Sequence, residues 1–430
     1  MFWSRLIERL TLVAGTGLVK LNRIALRARL RRRVDGWRRA MGLLLRGEDT
    51  MFVLSALDLD VWSDGHRPPR PGVEATQEHL GRRLDEFLAG EPTVHICVRR
   101  GASEDRAEAC DGPSYTLGFE PPREGLERFV HPDDWRGADR GHRLRDWSAT
   151  PLLNVVCRVG GTGRADVWVR VNHVGGDGVP IQEVMTRLEA TWGFSKDLRY
   201  PSPRAFAPYS IPRPCAGRPE LAEVTAFIDF APLQAWRRLE NARLPEPMTV
   251  CAAILWCLAR HGALAGLHMG TSADVRAIDG MGRGVGLIVV RPADYFDRRD
   301  GLAQYVRDFN RELALTRQRA SAGWKAIDET ALLPTRFAKA LLYDGLKRGR
   351  EGFGSLAVTM VKDARIFGAP IGDVGWADGI IAIGSIDLPA EGGGSVGCVS
   401  VKGPAARIAE YPRILQEAID TCPAASPTMR

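Results

Sequence analysis

The sequence predicts an α/β chain of two lobes, and three observations carry that reading. Short segments with period-two alternation, such as Ala165 to Val171, are interleaved with stretches of helical spacing, such as Leu80, Leu84, Phe87 and Leu88. With 430 residues, 45% of them hydrophobic and 26% charged, the chain has room for two core-bearing lobes. Between them, residues 201–219 carry Pro201, Pro203, Pro208, Pro212, Pro214 and Pro219 with little periodicity. This stretch reads as a crossover linker joining a first lobe over residues 47–200 to a second over 220–430.

The first 46 residues stand apart. Residues 1–47 hold twelve Arg and Lys against Glu8 and Asp35, a local balance of +10. The whole chain carries only +7, so the remainder is at −3 and the basic character belongs to the N-terminus. The apolar run Leu10 to Val19 is ten residues long, whereas a spanning helix needs about 20. An Arg-rich stretch follows it in place of a small-residue cleavage site, which argues against a signal peptide. Val34, Trp37, Met41, Leu44 and Leu45 share one side of a basic amphipathic helix. Such a helix can lie on an anionic membrane, pack on its own lobe or dock an acidic carrier protein. Nucleic acid is not expected as a partner, because no readout fold accompanies the charge.

Ala56 to Trp62 reads as the first strand, the segment around Leu80 to Leu88 as a helix, and Thr93 to Val98 as another strand. Residues 101–145, rich in Gly, Pro, Asp and Arg, read as irregular connections. Asn154 to Val159 and Ala165 to Val171 form two strands joined by the turn Gly160 to Arg164. From Pro180, Ile181, Val184, Leu188 and Trp192 recur at helical spacing, with proline suited to a first helical turn. Beyond the linker come a strand (Glu223 to Phe230), a helix begun by Pro232, a helix from Thr249 to His261, and strands over Leu267 to Arg276 and Gly284 to Val290. Helices near 301–320 and 329–348, strands over Ser355 to Val361 and Gly392 to Val401, and a helix over Ala405 to Ile419 complete the pattern.

The chemistry concentrates where a strand meets a helix, in Val171-Asn-His-Val-Gly-Gly-Asp-Gly-Val-Pro180. Gly175, Gly176 and Gly178 allow a tight turn and a close approach of backbone to a bound molecule. Asp177, near the start of the helix, can cap free amides. His173, fixed at the strand end, is suited to proton transfer, since an imidazole has an ordinary pKa of about 6.5. A lone histidine at a strand end serves structure as readily as chemistry, so the surrounding string carries the argument. No P-loop, no strand-linked GxGxxG and no internal repeat competes with it. The eight cysteines include no CxxC pair, and the eight histidines show no metal-ligand spacing. We therefore expect no metal site, reduced buried thiols and a cytoplasmic location, with peripheral contact at the inner membrane face if residues 1–46 bind it.

His-x-x-x-Asp-Gly after a strand and before an amphipathic helix resembles the active-site motif of the CoA-dependent acyltransferase superfamily. That superfamily includes chloramphenicol acetyltransferase, the plant BAHD acyltransferases, bacterial wax ester synthases and peptide-synthetase condensation domains. Condensation domains and wax synthases usually place a second histidine where Asn172 stands here; the BAHD branch does not require it. Gly47-Glu-Asp-Thr-Met-Phe-Val-Leu54 resembles the opening of wax-synthase-like enzymes, which makes residues 1–46 an extension. Thr249 through Arg260 resembles the family helix of the same order, and Ala273-Asp-Val-Arg276 its Asp-x-Arg. Asp373-Val-Gly-Trp-Ala377 looks like a variant of the BAHD Asp-Phe-Gly-Trp-Gly motif.

The resemblance implies two chloramphenicol-acetyltransferase-like lobes with mixed sheets and an active-site tunnel between them. It implies transfer of an acyl group from a thioester, acyl-CoA or acyl carrier protein, to a hydroxyl or amine, with His173 as general base. The thioester is a co-substrate, and no bound cofactor is expected. Gly178 and Thr359 are the implied oxyanion donors, Asn172 and Gly176 neighbours of the substrate. Asp177 is expected to be structural and to pair with Arg276; Asp274, Asp373 and Trp376 are expected to be structural too. A stand-alone condensation enzyme and a catalytically silent binding protein on the same fold are the alternatives.

Overall fold

The computed structural model describes residues 50–58, 73–91, 96–100, 105–109, 115–120, 153–159, 164–172, 187, 213–215, 218–262, 269–274, 285–331, 333, 336–338, 340–341, 356–360, 379–384, 386–390 and 392–421. The N-terminal elements are β1 (Thr50–Asp58), α1 (Val73–Ala89), β2 (Ile96–Arg100), β3 (Asp105–Ala109), β4 (Tyr115–Glu120), β5 (Leu153–Val159) and β6 (Arg164–Asn172). They give a four-stranded sheet of order β1-β6-β5-β4 and a separate β2-β3 ladder. β6 runs antiparallel to both of its neighbours, while β4 and β5 are parallel, so the sheet is mixed.

The second set comprises β7 (Arg213–Cys215), β8 (Arg218–Asp229), α2 (Ala231–Asn241), α3 (Val250–Arg260), β9 (Met269–Asp274), β10 (Val285–Val290), α4 (Gly301–Ala331), β11 (Leu356–Met360), β12 (Gly379–Ile383), β13 (Leu388–Pro389), β14 (Ser395–Pro404) and α5 (Tyr411–Thr421). Its eight-stranded sheet has the order β10-β9-β11-β12-β14-β8-β7 with β13 paired to β14. Parallel pairing of β9, β11 and β12 beside antiparallel β14 and β8 makes this sheet mixed as well.

Several boundaries differ from the sequence reading. The first strand lies at 50–58 rather than 56–62, and β3 and β4 occupy part of the stretch read as irregular. Strand pairing also reaches into the proline-rich 201–219 stretch, through β7 and the start of β8. β7 is an edge strand, where Pro214 costs no ladder bond on its open side. α4 runs unbroken to Ala331, past the expected end near residue 320. Residues 1–46 lie outside the described residues.

One helix sets the core. α3 is apolar nearly all round, and every residue from Ala252 to Ala259 is buried, as expected of a helix enclosed by other elements. The Thr249 hydroxyl starts it by accepting the Ala252 N–H at 3.1 Å. Tyr305 of α4 is buried against α3 and donates its hydroxyl to the Ala252 carbonyl at 3.0 Å. Its ring meets Trp256, Tyr295 and Phe309 in tilted and edge contacts. Burial and the Asp308 carboxylate at 2.8 Å push the Tyr295 hydroxyl up to about 12. α5 is tied to the end of β8 by the Gln416 amide, which accepts from Asp229 N at 2.8 Å and donates to Asp229 O at 3.0 Å.

Cys251 and Cys398 are free thiols. Cys257, buried in α3, is disulfide-bonded. That corrects the expectation of reduced thiols throughout, because the absence of CxxC spacing does not constrain cysteines that folding brings together from distant positions. It also weakens the argument from cysteines for a cytoplasmic location. No described helix is long and apolar enough to cross a membrane.

Both faces of β14 are buried. On the helix side, Val399 and Val401 join the core, and Gly397 leaves room for Phe230. A β-carbon at Gly397 would lie 2.5 Å from the Phe230 ring. Gly397→Ala should therefore lower stability by about 1–3 kcal/mol, as overpacking does. Thermal unfolding of that variant with and without Phe230→Leu should show the smaller ring recovering part of the loss; additive losses would contradict the clash.

Candidate active site

Alternation of Val167, Val169 and Val171 with Asp166, Trp168 and Arg170 makes β6 a strand, and both of its edges are paired. Its last residue, Asn172, lies opposite Thr50 of β1. The chain therefore reaches His173 directly from an internal strand held on both sides. His173, Gly176, Asp177 and Gly178 lie outside the described residues, as do Arg276, Asp373 and Trp376. Arg187, in the helical stretch expected after the motif, donates from Nη2 to Glu91 Oε2 at 2.5 Å. Glu91 follows α1 and is only 5% exposed. This ion pair ties the segment downstream of the motif to the end of α1.

The remaining predicted positions lie in the eight-stranded sheet. Asp274 ends β9, with Val285 of β10 as its partner, and Thr359 is a half-buried residue of β11. Val358 is level with Thr271, so continuing the parallel register sets Thr359 beside Ser272 and Asp274 two residues further along. The sheet thus brings Thr359 and Asp274 to neighbouring strands; Asn172 belongs to the other sheet.

Thr359 lies on the sheet face away from the helices. Its flanking residues Val358 and Met360 take part in the core packed against α3 and α4, and Thr359 does not. The register continues Thr359↔Ala382 on β12 and Ala382↔Ser400 on β14, and then Ser400↔Thr225 on β8. On β14 the same face carries Cys398, Ser400 and Lys402, at 0%, 2% and 7% exposure. The sequence reading missed Ser400 and Lys402. The signal was present in Cys398-Val-Ser-Val-Lys402, where valines alternate with groups that a purely apolar core does not call for.

Among the described residues, neither Cys251 nor Cys398 offers a nucleophile. Burial pushes the Cys398 thiol well above its ordinary range. It also raises Cys251, only partly offset by the Thr271 hydroxyl at 3.4 Å. Both are thus protonated at neutral pH. Among the described residues, no group of three or more His, Cys, Asp or Glu side chains is placed to hold a metal ion.

No family model and no curated protein matches the sequence. Solved structures do match in shape. The trichothecene 15-O-acetyltransferase from Fusarium sporotrichioides aligns with a TM-score of 0.56 at 11% identity, over 91% of this chain and 94% of that one. The chain shares the fold of that structure. The condensation domain of the Monacolin K polyketide synthase MokA aligns with a TM-score of 0.51 at 12% identity, over 90% and 94% of the two chains. A four-domain nonribosomal peptide synthetase bound to AMP and glycine aligns at 0.52 and 11% identity, over 92% of this chain and 33% of that one. A mixed α/β fold like that of these structures, which the motif led us to expect, is thereby found by a route independent of the motif.

A thiol buried as Cys398 is should resist alkylation. In the native protein at pH 7, iodoacetamide should leave Cys398 unmodified for as long as it takes to label the denatured chain fully. Peptide mass analysis showing rapid native labelling at that position would contradict its burial.

Proposed function

We propose that the protein transfers an acyl group from a thioester, acyl-CoA or an acyl carrier protein, to a hydroxyl or amine acceptor. The observation that carries this reading is the internal strand β6, which ends at Asn172, immediately before His173-x-x-x-Asp177-Gly178 in the sequence, in a chain that shares the fold of an acetyltransferase. In the proposed architecture two lobes enclose a tunnel, with His173 at its middle.

His173 takes the proton of the acceptor hydroxyl or amine as that atom attacks the thioester carbonyl carbon. The carbonyl π bond becomes an oxyanion in a tetrahedral intermediate. Collapse re-forms the carbonyl and breaks the C–S bond, and the departing thiolate recovers the proton from the imidazolium. No covalent enzyme intermediate is needed in this scheme. The Gly178 amide and the Thr359 hydroxyl are the proposed oxyanion donors, with Asn172 and Gly176 beside the substrate. Asp177 holds the turn by pairing with Arg276; Asp274, Asp373 and Trp376 support the surrounding backbone. The basic N-terminal extension suits an anionic surface, that of a carrier protein or a membrane.

His173→Ala should reduce thiol release from an acyl-CoA, assayed with a panel of alcohols and amines, by about 10²–10⁴-fold, or roughly 3–5 kcal/mol of barrier. Circular dichroism should be unchanged, and near-wild-type turnover would refute the base. Asp177→Asn should lower melting temperature and turnover together, with a stability loss of about 3–5 kcal/mol if the pair is buried. Reduced turnover at an unchanged melting temperature would instead assign Asp177 to the chemistry.

A further inference from the structure

Among the described residues, large apolar side chains stand out of the protein at Leu239, Phe337 and Leu341, with exposures of 62%, 66% and 42%. A single exposed leucine such as Leu239 on α2 is ordinary on a globular surface. Phe337 and Leu341 are different. Residues 336–338 and 340–341 are helical, so side chains four positions apart stand one above the other on the same side. Ala338, in the same turn, is fully buried, and so is most of Leu333 just ahead of it. The segment is thus seated on the protein by small and aliphatic groups, while its phenyl and isobutyl groups face outward. Arg336 and Ala340 are exposed beside them. At 3.6 residues per turn the four exposed positions cover an arc of about 140°, with Ala338 outside it.

Charge indicates what this face meets. Residues 336–350 hold Arg336, Lys339, Lys347, Arg348 and Arg350 against Asp344, a balance of +4. With +10 in residues 1–47 and +7 over the whole chain, everything else sums to −7. The two cationic stretches are exceptions on an otherwise acidic molecule, and both interleave cations with large apolar groups.

We propose that the face bearing Phe337 and Leu341 docks on an anionic lipid bilayer. The two side chains enter the boundary between headgroups and acyl chains, and the neighbouring cations meet the headgroups. A fluid interface takes in protruding side chains without a matching pocket, which suits a convex helical surface whose largest groups point outward. This docking depends neither on the acyl-transfer chemistry nor on binding by residues 1–46.

Sedimentation of the full-length protein with phosphatidylcholine vesicles, with and without phosphatidylglycerol, tests the docking. The wild-type chain should partition to the anionic vesicles, and less so as salt is raised. Phe337→Ser together with Leu341→Ser should lower that partition at least about ten-fold. Its melting temperature should match the wild type, because both side chains are exposed. Phe337→Trp, which keeps a large interfacial ring, should bind at least as tightly as the wild type; weaker binding would count against insertion. Arg31→Gln, Arg32→Gln and Arg33→Gln, combined in a full-length chain, report the N-terminal extension separately. If the serine pair bound like the wild type while this triple variant did not, the extension would be the membrane contact and the proposal would fall. Failure of the wild type to bind anionic vesicles would overturn it too. Binding to a purified acyl carrier protein that the serine pair abolishes, with no binding to vesicles, would assign the face to a protein partner and sink the bilayer.

Discussion

A helix without a polar side has to be surrounded. Ala252 to Ala259 are all buried, so α3 requires a neighbour in every direction, and the second half of the chain supplies them. β9 and β11 pass beneath it, and α2, α4 and α5 close around its flanks. Because the helix offers no charged face, the few polar groups that touch it satisfy backbone atoms or one another, as Tyr305 does for the Ala252 carbonyl.

That enclosure decides where chemistry can be placed. With α2, α3, α4 and α5 all on one side of the eight-stranded sheet, the side chains of β11, β12 and β14 divide by parity. One set is the apolar floor of the helical layer. The other set carries Thr359, Ala382, Ser400 and Lys402 together with Val396 and Cys398, and it lies on the face away from α3. The four-stranded sheet contributes differently, by holding β6 on both edges so that its end is a fixed point in the backbone.

Much of this was legible in the residues, and the failures have physical causes. β6 was readable because Val167, Val169 and Val171 alternate cleanly with Asp166, Trp168 and Arg170, the mark of a strand with two different faces. α3 was readable from Thr249 as a cap followed by an unbroken apolar stretch. β3 and β4 were not, because their sequences, Asp105 to Ala109 and Tyr115 to Glu120, are short and sit among Gly, Pro and Asp. β12 escaped notice since Gly-Ile-Ile-Ala-Ile383 has no alternation at all, as befits a central strand. The two faces of β14 were overlooked because valine dominates the pattern and the strand was read as ending at Val401, one residue short of Lys402. Strand neighbours alone show that Ser400 and Lys402 stand in line with Thr359 and Ile380.

The turn between β13 and β14 has a consequence for the unfolded chain. Gly392, Gly393 and Gly394 all take positive φ, at 81°, 96° and 88°, and a β-carbon on any of them would meet no neighbouring atom within 4 Å. The obstacle to a side chain there is handedness alone. Three consecutive glycines give the denatured ensemble a wide choice of conformations, all of which are surrendered when the hairpin closes. A mirror-image residue would find this geometry native. D-alanine, introduced at Gly393 by chemical ligation, would restrict the disordered state while leaving the folded one undisturbed, so this hairpin gives up conformational freedom that an opposite-handed amino acid would conserve.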